Sequence, residues 1–265
     1  MLIRIIKNRL FFGAIVLFSI FSIIPLFLIL FFIFKNGISS LDFLFSSQIL
    51  NAIVGTFILI ILAGIFSIPL GILAGIYLSE SKGRLVYFVR LCVEVLQGIP
   101  SIVIGIIAYL LIVVPMRGFS AISGGFALGI IMLPVIIKST EETLKLIPYS
   151  LKEASLALGV PYYKTILKVV LPAGLSGILT GILLSIARVS GETAPLLLTA
   201  FGSCFMNLDI SKPINSLPLL IFNYATSPYQ NWISQAWAAS LILILFVLIL
   251  NIIARLIVKR WRIQF

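Results

Sequence analysis

Long apolar runs separated by short polar segments fill the chain almost from end to end. A helix needs roughly 20 apolar residues to cross about 30 Å of hydrocarbon. Runs of that length lie near residues 10–34, 50–79, 86–114, 120–139, 173–200 and 235–258. They are continuous, without the alternation a barrel strand requires, and only helices or closed barrels satisfy the backbone in lipid. The pattern predicts an all-α polytopic membrane protein of about six transmembrane helices, forming a single membrane domain over residues 1–265.

Two connections are too long for simple turns, one over about 140–172 and one over about 201–234. Long loops in compact proteins are usually functional. Within the runs, glycines recur at four-residue spacing: Gly71 and Gly75, Gly125 and Gly129, Gly177 and Gly181. Such pairs let helices approach closely and point to a bundle.

Composition sharpens the picture. Hydrophobic residues make up 61% of the 265 positions and charged residues only 10%, against about 25% charged in a soluble domain. The net charge of +11 would suit nucleic acid, but the basic residues flank the apolar runs. With the N-terminus inside, 15 of the 19 Lys and Arg fall in inner segments, and Lys35, Arg117 and Lys212 in outer ones. That bias predicts both termini in the cytoplasm and accounts for the charge without nucleic acid. The run after Arg4, Lys7 and Arg9 is too long for a signal peptide and lacks a small-x-small cleavage site, so it reads as a first span. The chain contains no His, and Cys92 and Cys204 are expected on opposite faces of the membrane, unpaired. No spacing suggests a metal site, a histidine base or a Ser-His-Asp nucleophile.

The segment from Tyr149 to Pro161 carries the strongest local signals. Ser150 and Glu153 have capping-box spacing, which predicts a helix start at Ser150. Gly159 suits the left-handed residue past a helix end. Pro161 suits the first turn of a second helix, running to Leu171 and closed by Pro172. Leu151, Ala154, Ser155 and Leu158 would share one face, able to lie in a partner's groove or on lipid headgroups.

Glu153-Ala-Ser155, Gly159 six residues after the glutamate, and Leu171-Pro172 resemble the E-A-A loop of ABC importer permeases. Ser155 stands where that pattern has its second Ala, and Val169 where it has Ile. The resemblance implies a type-1, MetI-like permease fold whose first loop helix couples to a cytoplasmic ATPase. Ser150, Glu153, Ala154, Leu158 and Gly159 are then the expected coupling residues. The chain has no G-x-x-x-x-G-K-[ST] phosphate-binding loop, so ATP hydrolysis is expected from a separate subunit, and the chain is expected to be a transporter subunit without enzymatic activity or cofactor.

A second constellation interrupts the fifth run: Arg188, then Gly191-Glu192-Thr-Ala-Pro195. An Arg at bilayer depth costs about 2.5–3.5 kcal/mol on insertion scales, and Arg before Glu is the weaker order for an i, i+4 helix pair. Stability alone explains the pair poorly. Either it glues helices, or Arg188 meets a passing anion while Glu192 tempers the binding; a guanidinium fork matches phosphate-like oxyanions. Ser101, after the Gly98 and Pro100 break, could offer its hydroxyl to the same anion. Arg90 and Glu94 form another i, i+4 pair, expected at the inner interface. Leu217 to Tyr224 is apolar but too short to span; it either packs over the bundle mouth or lines an outer gate. Trp232, Trp237 and Trp261 lie near span ends, as interfacial belts require.

Arg188-x-x-Gly-Glu-Thr-Ala-Pro-Leu196 also resembles the fifth-span signature of phosphate importer permeases, the PstA type. So do Gly98-Ile-Pro-Ser-Ile-Val103, Ser216-Leu-Pro218, Tyr224-Ala225, Ser227-Pro228, Ala236-Trp-Ala-Ala239 and Asn251-x-x-Ala-Arg255. That family implies phosphate as cargo, a homologous second permease (PstC type), two copies of a cytoplasmic ATPase (PstB type) and an extracytoplasmic phosphate-binding protein (PstS type). The alternatives are an ABC permease for another oxyanion such as molybdate or sulfate, an ion-coupled secondary carrier, or an intramembrane enzyme, for which Arg188 and Glu192 alone are thin.

Overall fold

A computed structural model describes residues 2–39, 43 and 46–260. Ten helices account for most of the described chain: α1 (Leu2–Ile38), α2 (Ser47–Glu80), α3 (Arg84–Gly98), α4 (Ser101–Met116), α5 (Ala121–Lys145), α6 (Tyr149–Ala157), α7 (Tyr162–Val189), α8 (Ala194–Leu197), α9 (Leu217–Ala225) and α10 (Gln230–Arg260). Five of them, α1, α2, α5, α7 and α10, are long and apolar enough to cross a membrane singly, and α3 with α4 form a sixth, bent candidate.

Helix α5 is the centre of the bundle. Two thirds of its span window (67%) is buried, against 33% for α2 and α7, 28% for α10 and 0% for α1. The glycine pairs explain how it is enclosed. A Cβ on Gly71 or Gly75 would overlap Ile136 or Thr140, and one on Gly125 would overlap Leu62, so α2 and α5 lie almost backbone to backbone. Gly177 and Gly181 do the same for α7 against Thr143 and Ser139. Leu59, Leu128, Met132, Ile136, Ile178 and Leu196 fill the seam. Long apolar side chains such as Phe18, Phe27 and Leu73 point outward, as a lipid-facing surface requires.

The first turn of α5 is capped reciprocally by Ser120 and Ser123. The main-chain N–H groups of Ser120, Ala121 and Ile122 donate to the carbonyls of Thr199, Lys212 and Ile210. The long connection before α9 thus satisfies the donors that a helix start leaves over. Helix α9 itself is mostly buried: Leu217, Pro218, Leu219, Leu220 and Tyr224 face the bundle, and Thr56 of α2 accepts from the Leu217 N–H at 2.9 Å. It packs over the mouth at the Ser120 end.

Three expected elements differ. The third run is two helices bent by 105° at Gly98-Ile99-Pro100, because Pro100 supplies no N–H to continue α3 and disfavours helical geometry in the residue before it. Helix α3 is the amphipathic half, with Val86 and Val93 buried and Arg84 and Leu85 exposed. Helix α4 has 16 residues, about 24 Å of rise. Next, Pro172 does not close the loop's second helix. The helix from Tyr162 widens into a π-turn over Ile166–Val170 and passes through Pro172 to Val189; the wider turn takes up the missing N–H and the ring's bulk. Last, the helix that carries the fifth apolar run is Tyr162–Val189, beginning before residue 173 and stopping at Val189, short of 200.

Candidate functional site

Two features of α7 define the site, one near each end. Near its first turn sits the loop helix α6. It begins at Tyr149 with Pro148 at the cap, and Ser150 makes no capping bond, so the expected capping box does not form. Pro148, with φ −57 and ψ 133, sets the entry one residue earlier and leaves Ser150 inside the first turn, where its N–H is no longer at the cap. Gly159 adopts φ 77 and ends the segment in left-handed geometry. The expected apolar face is divided: Lys152 and Ser155 turn inward, while Ser150, Glu153, Ala154, Leu158 and Gly159 are exposed. Leu158 is 84% exposed, an unusual position for a leucine on an isolated soluble surface.

The inward face of α6 is fastened at two points, and a third bond ties α7 to the same carboxylate. Lys152 Nζ lies 2.5 Å from Glu80 Oε1 at the end of α2. Tyr162, the first residue of α7, donates its hydroxyl to Glu80 Oε2 at 2.5 Å. The Ser155 and Thr165 hydroxyls share a buried hydrogen bond at 2.9 Å. Glu80 therefore ties the loop helix and α7 to α2.

At its other end α7 stops among polar groups. Val189 lines the same small cavity as Leu128 of α5 and Leu59 of α2. Leu128 lies seven residues into α5, about 10 Å from its first turn. The chain then climbs through Ser190–Thr193 and α8 until Thr199 meets the Ser120 N–H. The fifth crossing is thus a helix of 28 residues that breaks inside the bundle and finishes irregularly, an arrangement membranes tolerate only against protein or a cavity.

Arg188 occupies the last turn of α7, where a cation is stabilised by the helix's terminal carbonyls. Its Nε stands 3.9 Å from Glu192 Oε1, with side chains 45% and 20% exposed. Glu192 lies beyond the helix end, so the two are not an i, i+4 pair on one continuous helix, and the helical order rule does not apply to them. Ser101 is half-buried at the start of α4. One turn further, Gly105 abuts Pro195: a Cβ there would lie 2.8 Å from the proline Cα. That approach seats the start of α4 against the segment following Glu192. No hydrogen bond joins Ser101 to Arg188 or Glu192.

The sequence profile of the binding-protein-dependent transport system inner membrane components matches residues 67–263. The phosphate transport system permease protein PstA of Pasteurella multocida is 40% identical over 265 residues, covering 96% of this chain and 95% of its own. PstA of Yersinia pestis is 47% identical over 209 residues, 78% of this chain and 71% of that protein. This chain belongs to the binding-protein-dependent importer permeases, on the PstA branch. A chain of the MetNI methionine ABC transporter, solved in an inward-facing conformation, shares the fold with a TM-score of 0.64 at 20% identity, covering 82% of this chain and 95% of that one.

Within this permease fold the structure adds residues that local spacing does not announce. Arg90 pairs with Glu141 of α5, not with Glu94: its Nε and Nη2 reach Glu141 Oε1 at 3.2 and 2.6 Å. Lys145 joins the same oxygen at 2.5 Å. The amphipathic helix α3 is thereby bound to the central helix. The Arg90–Glu141 and Lys152–Glu80 pairs could not be found by reading along the chain, since the partners lie 51 and 72 residues apart; only Glu141 and Lys145, four residues apart, have a spacing that signals a pair. At the Ser120 end, a cavity of 390 Å³ is lined by Gln48, Ser203, Asn215, Asn223, Tyr224 and Trp232, among others. Tyr224 donates to Gln48 Oε1 at 2.5 Å, and burial pushes its phenol above the ordinary value. Cys92 and Cys204 are both free and exposed.

Proposed function

We propose that this chain is a membrane permease subunit of an ATP-driven importer of inorganic phosphate, moving the anion by alternating access. The observation that carries the reading is the construction of α7. One continuous helix has an exposed loop helix fastened beside its first turn and a cation at its broken far end. A push on α6 from a nucleotide-driven companion moves α7, and with it the position of Arg188.

Glu153, Ala154 and Leu158 would seat in a cleft of the cytoplasmic ATPase, with Ser150 and Gly159 flanking the contact. The Lys145 end of the bundle, near Lys82, Arg84, Lys152, Lys164 and Lys168, would face the cytoplasm together with both termini. Arg188 would offer its fork to phosphate oxygens while Glu192 holds the guanidinium and weakens the grip enough for release. Ser101 would supply a neutral donor on the same path. The relatives are named as phosphate transport permeases, which supports phosphate over molybdate or sulfate. The partners would be a second permease of the PstC type, two ATPase copies of the PstB type and a phosphate-binding protein of the PstS type.

Glu153→Arg tests the docking role. The expected result is loss of ATP-dependent phosphate uptake with the subunit still inserted in the membrane at its normal level. Undiminished uptake would remove α6 as the docking element.

A further inference from the structure

Glu80 is a carboxylate whose two oxygens are both committed to groups outside its own helix. Oε1 takes the Lys152 ammonium of α6 and Oε2 takes the Tyr162 hydroxyl at the start of α7, at 2.5 Å each. Side-chain exposure is 11% for both Glu80 and Lys152. The Lys152–Glu80 pair is therefore largely shielded from water and from screening by salt, unlike an ordinary surface ion pair, while the Tyr162 ring beside it is half exposed. A second link, the Ser155–Thr165 bond, is buried as well. Lys152 and Ser155 are three residues apart on the face of α6 turned away from Glu153, Ala154 and Leu158. The helix presents one face outward and is bolted through the other.

What these bolts hold differs. Ser155 holds α6 to α7 alone, in sequence its own neighbour. Glu80 adds α2, which is 72 residues away in sequence from Lys152 and has no chain connection to α6 short of α3, α4 and α5. Helix α2 then runs from Glu80 up the glycine seam against α5 to Thr56, which accepts the N–H of Leu217 under the mouth helix α9. Displacement of α6 can reach α7 directly along the chain, and α2 indirectly through the packing of α7 on α5; its direct link to α2, and through it to the opposite mouth, is the carboxylate of Glu80.

We infer that Glu80, clamped by Lys152 and Tyr162, is the positioning residue that transmits docking-helix movement to α2. This inference rests on the reading of α6 as the ATPase-docking helix. Losing the clamp leaves the exposed docking face intact, so the ATPase still binds and still hydrolyses ATP, while the spans follow it poorly. The signature is a loss of coupling with assembly preserved.

The test uses the complete importer in proteoliposomes, with ATPase, second permease and binding protein present. Phosphate uptake and ATP hydrolysis are measured together for Glu80→Gln, Tyr162→Phe, the charge exchange of Glu80→Lys with Lys152→Glu, and Glu153→Arg. Co-purification of the ATPase is measured for each. Glu80→Gln is expected to keep the ATPase bound and to lower phosphate moved per ATP about tenfold, within the range by which residues along coupling elements act. Tyr162→Phe should give a smaller drop in the same ratio, and the charge exchange should recover most of what Glu80→Gln loses. Unchanged phosphate per ATP in Glu80→Gln, with Glu153→Arg releasing the ATPase, would overturn the clamp and leave the docking reading standing. Loss of uptake only in proportion to loss of assembled complex would overturn it too, since that is what a merely structural pair would do. If Glu153→Arg retains both ATPase and uptake, the docking reading fails and the clamp fails with it.

Discussion

Gly177 of α7 offers a direct measure of how tightly that helix is held against the central one. A Cβ at this position would lie 2.4 Å from both Cγ2 and Oγ1 of Thr143 on α5, and 3.0 Å from its Cβ. Carbon atoms rest at about 3.5–4.0 Å, so Gly177→Ala must push the helices apart by about 1 Å or distort Thr143. The Ser139 hydroxyl donates to the Gly177 carbonyl at 3.3 Å, and that separation would break it. Overpacking of this kind costs about 1–3 kcal/mol. Thr143→Ala removes both atoms at 2.4 Å and leaves only the Cβ contact, which needs a shift of a few tenths of an ångström. Gly177→Ala is therefore expected to lower stability by about 2 kcal/mol, with at least half recovered when Thr143→Ala is added. Equilibrium unfolding of the purified subunit in mixed detergent, carried out as a double-mutant cycle, reads both values. Additive effects, with a coupling energy below about 0.5 kcal/mol, would show that the two helices do not meet at this seam.

Other expectations follow from the ion pairs. Arg188→Gln should reduce phosphate uptake about a hundredfold and Arg188→Lys about tenfold, because Lys keeps the charge but loses the planar fork; equal uptake by wild type and both variants would make the pair structural. Glu141 is 7% exposed and pairs through one oxygen with both Arg90 and Lys145, which are 37% and 49% exposed. Glu141→Gln should cost about 1–2 kcal/mol, less than a fully buried pair because both cations can turn to water. A melting temperature equal to wild type would contradict that burial.

Hydrophobic patterning made the crossings legible because lipid demands continuous apolar runs, and the glycine pairs disclosed close packing because only a missing side chain allows it. What the pattern could not reveal is how prolines are accommodated. Pro25, Pro69 and Pro134 all stay within helices, whereas Pro100 marks a 105° bend. The ring alone does not decide: before Pro100 the helix ends at Gly98 and Ile99 is extended, whereas the residues before Pro25, Pro69 and Pro134 stay helical. Pro172 reads as a terminator, yet the π-turn before it carries the helix onward. The capping-box spacing of Ser150 and Glu153 is genuine, but Pro148 starts the helix one residue sooner. Gly191 and Pro195 did signal a weakened fifth span; that the helix stops at Val189, leaving Arg188 in its final turn, depends on tertiary contacts with α4 and α5. Glu80 meets Lys152, and Glu141 meets Arg90, across long stretches of sequence, and no spacing rule reaches so far.

On the proposed function, phosphate movement by the bundle depends on a companion ATPase acting on α6. Purified permease pair and binding protein reconstituted with internal ATP, with and without the ATPase, measure it by phosphate accumulation. Accumulation above background only when ATPase and ATP are both present is the predicted result. Concentrative uptake without the ATPase, driven by an ion gradient alone, would contradict it.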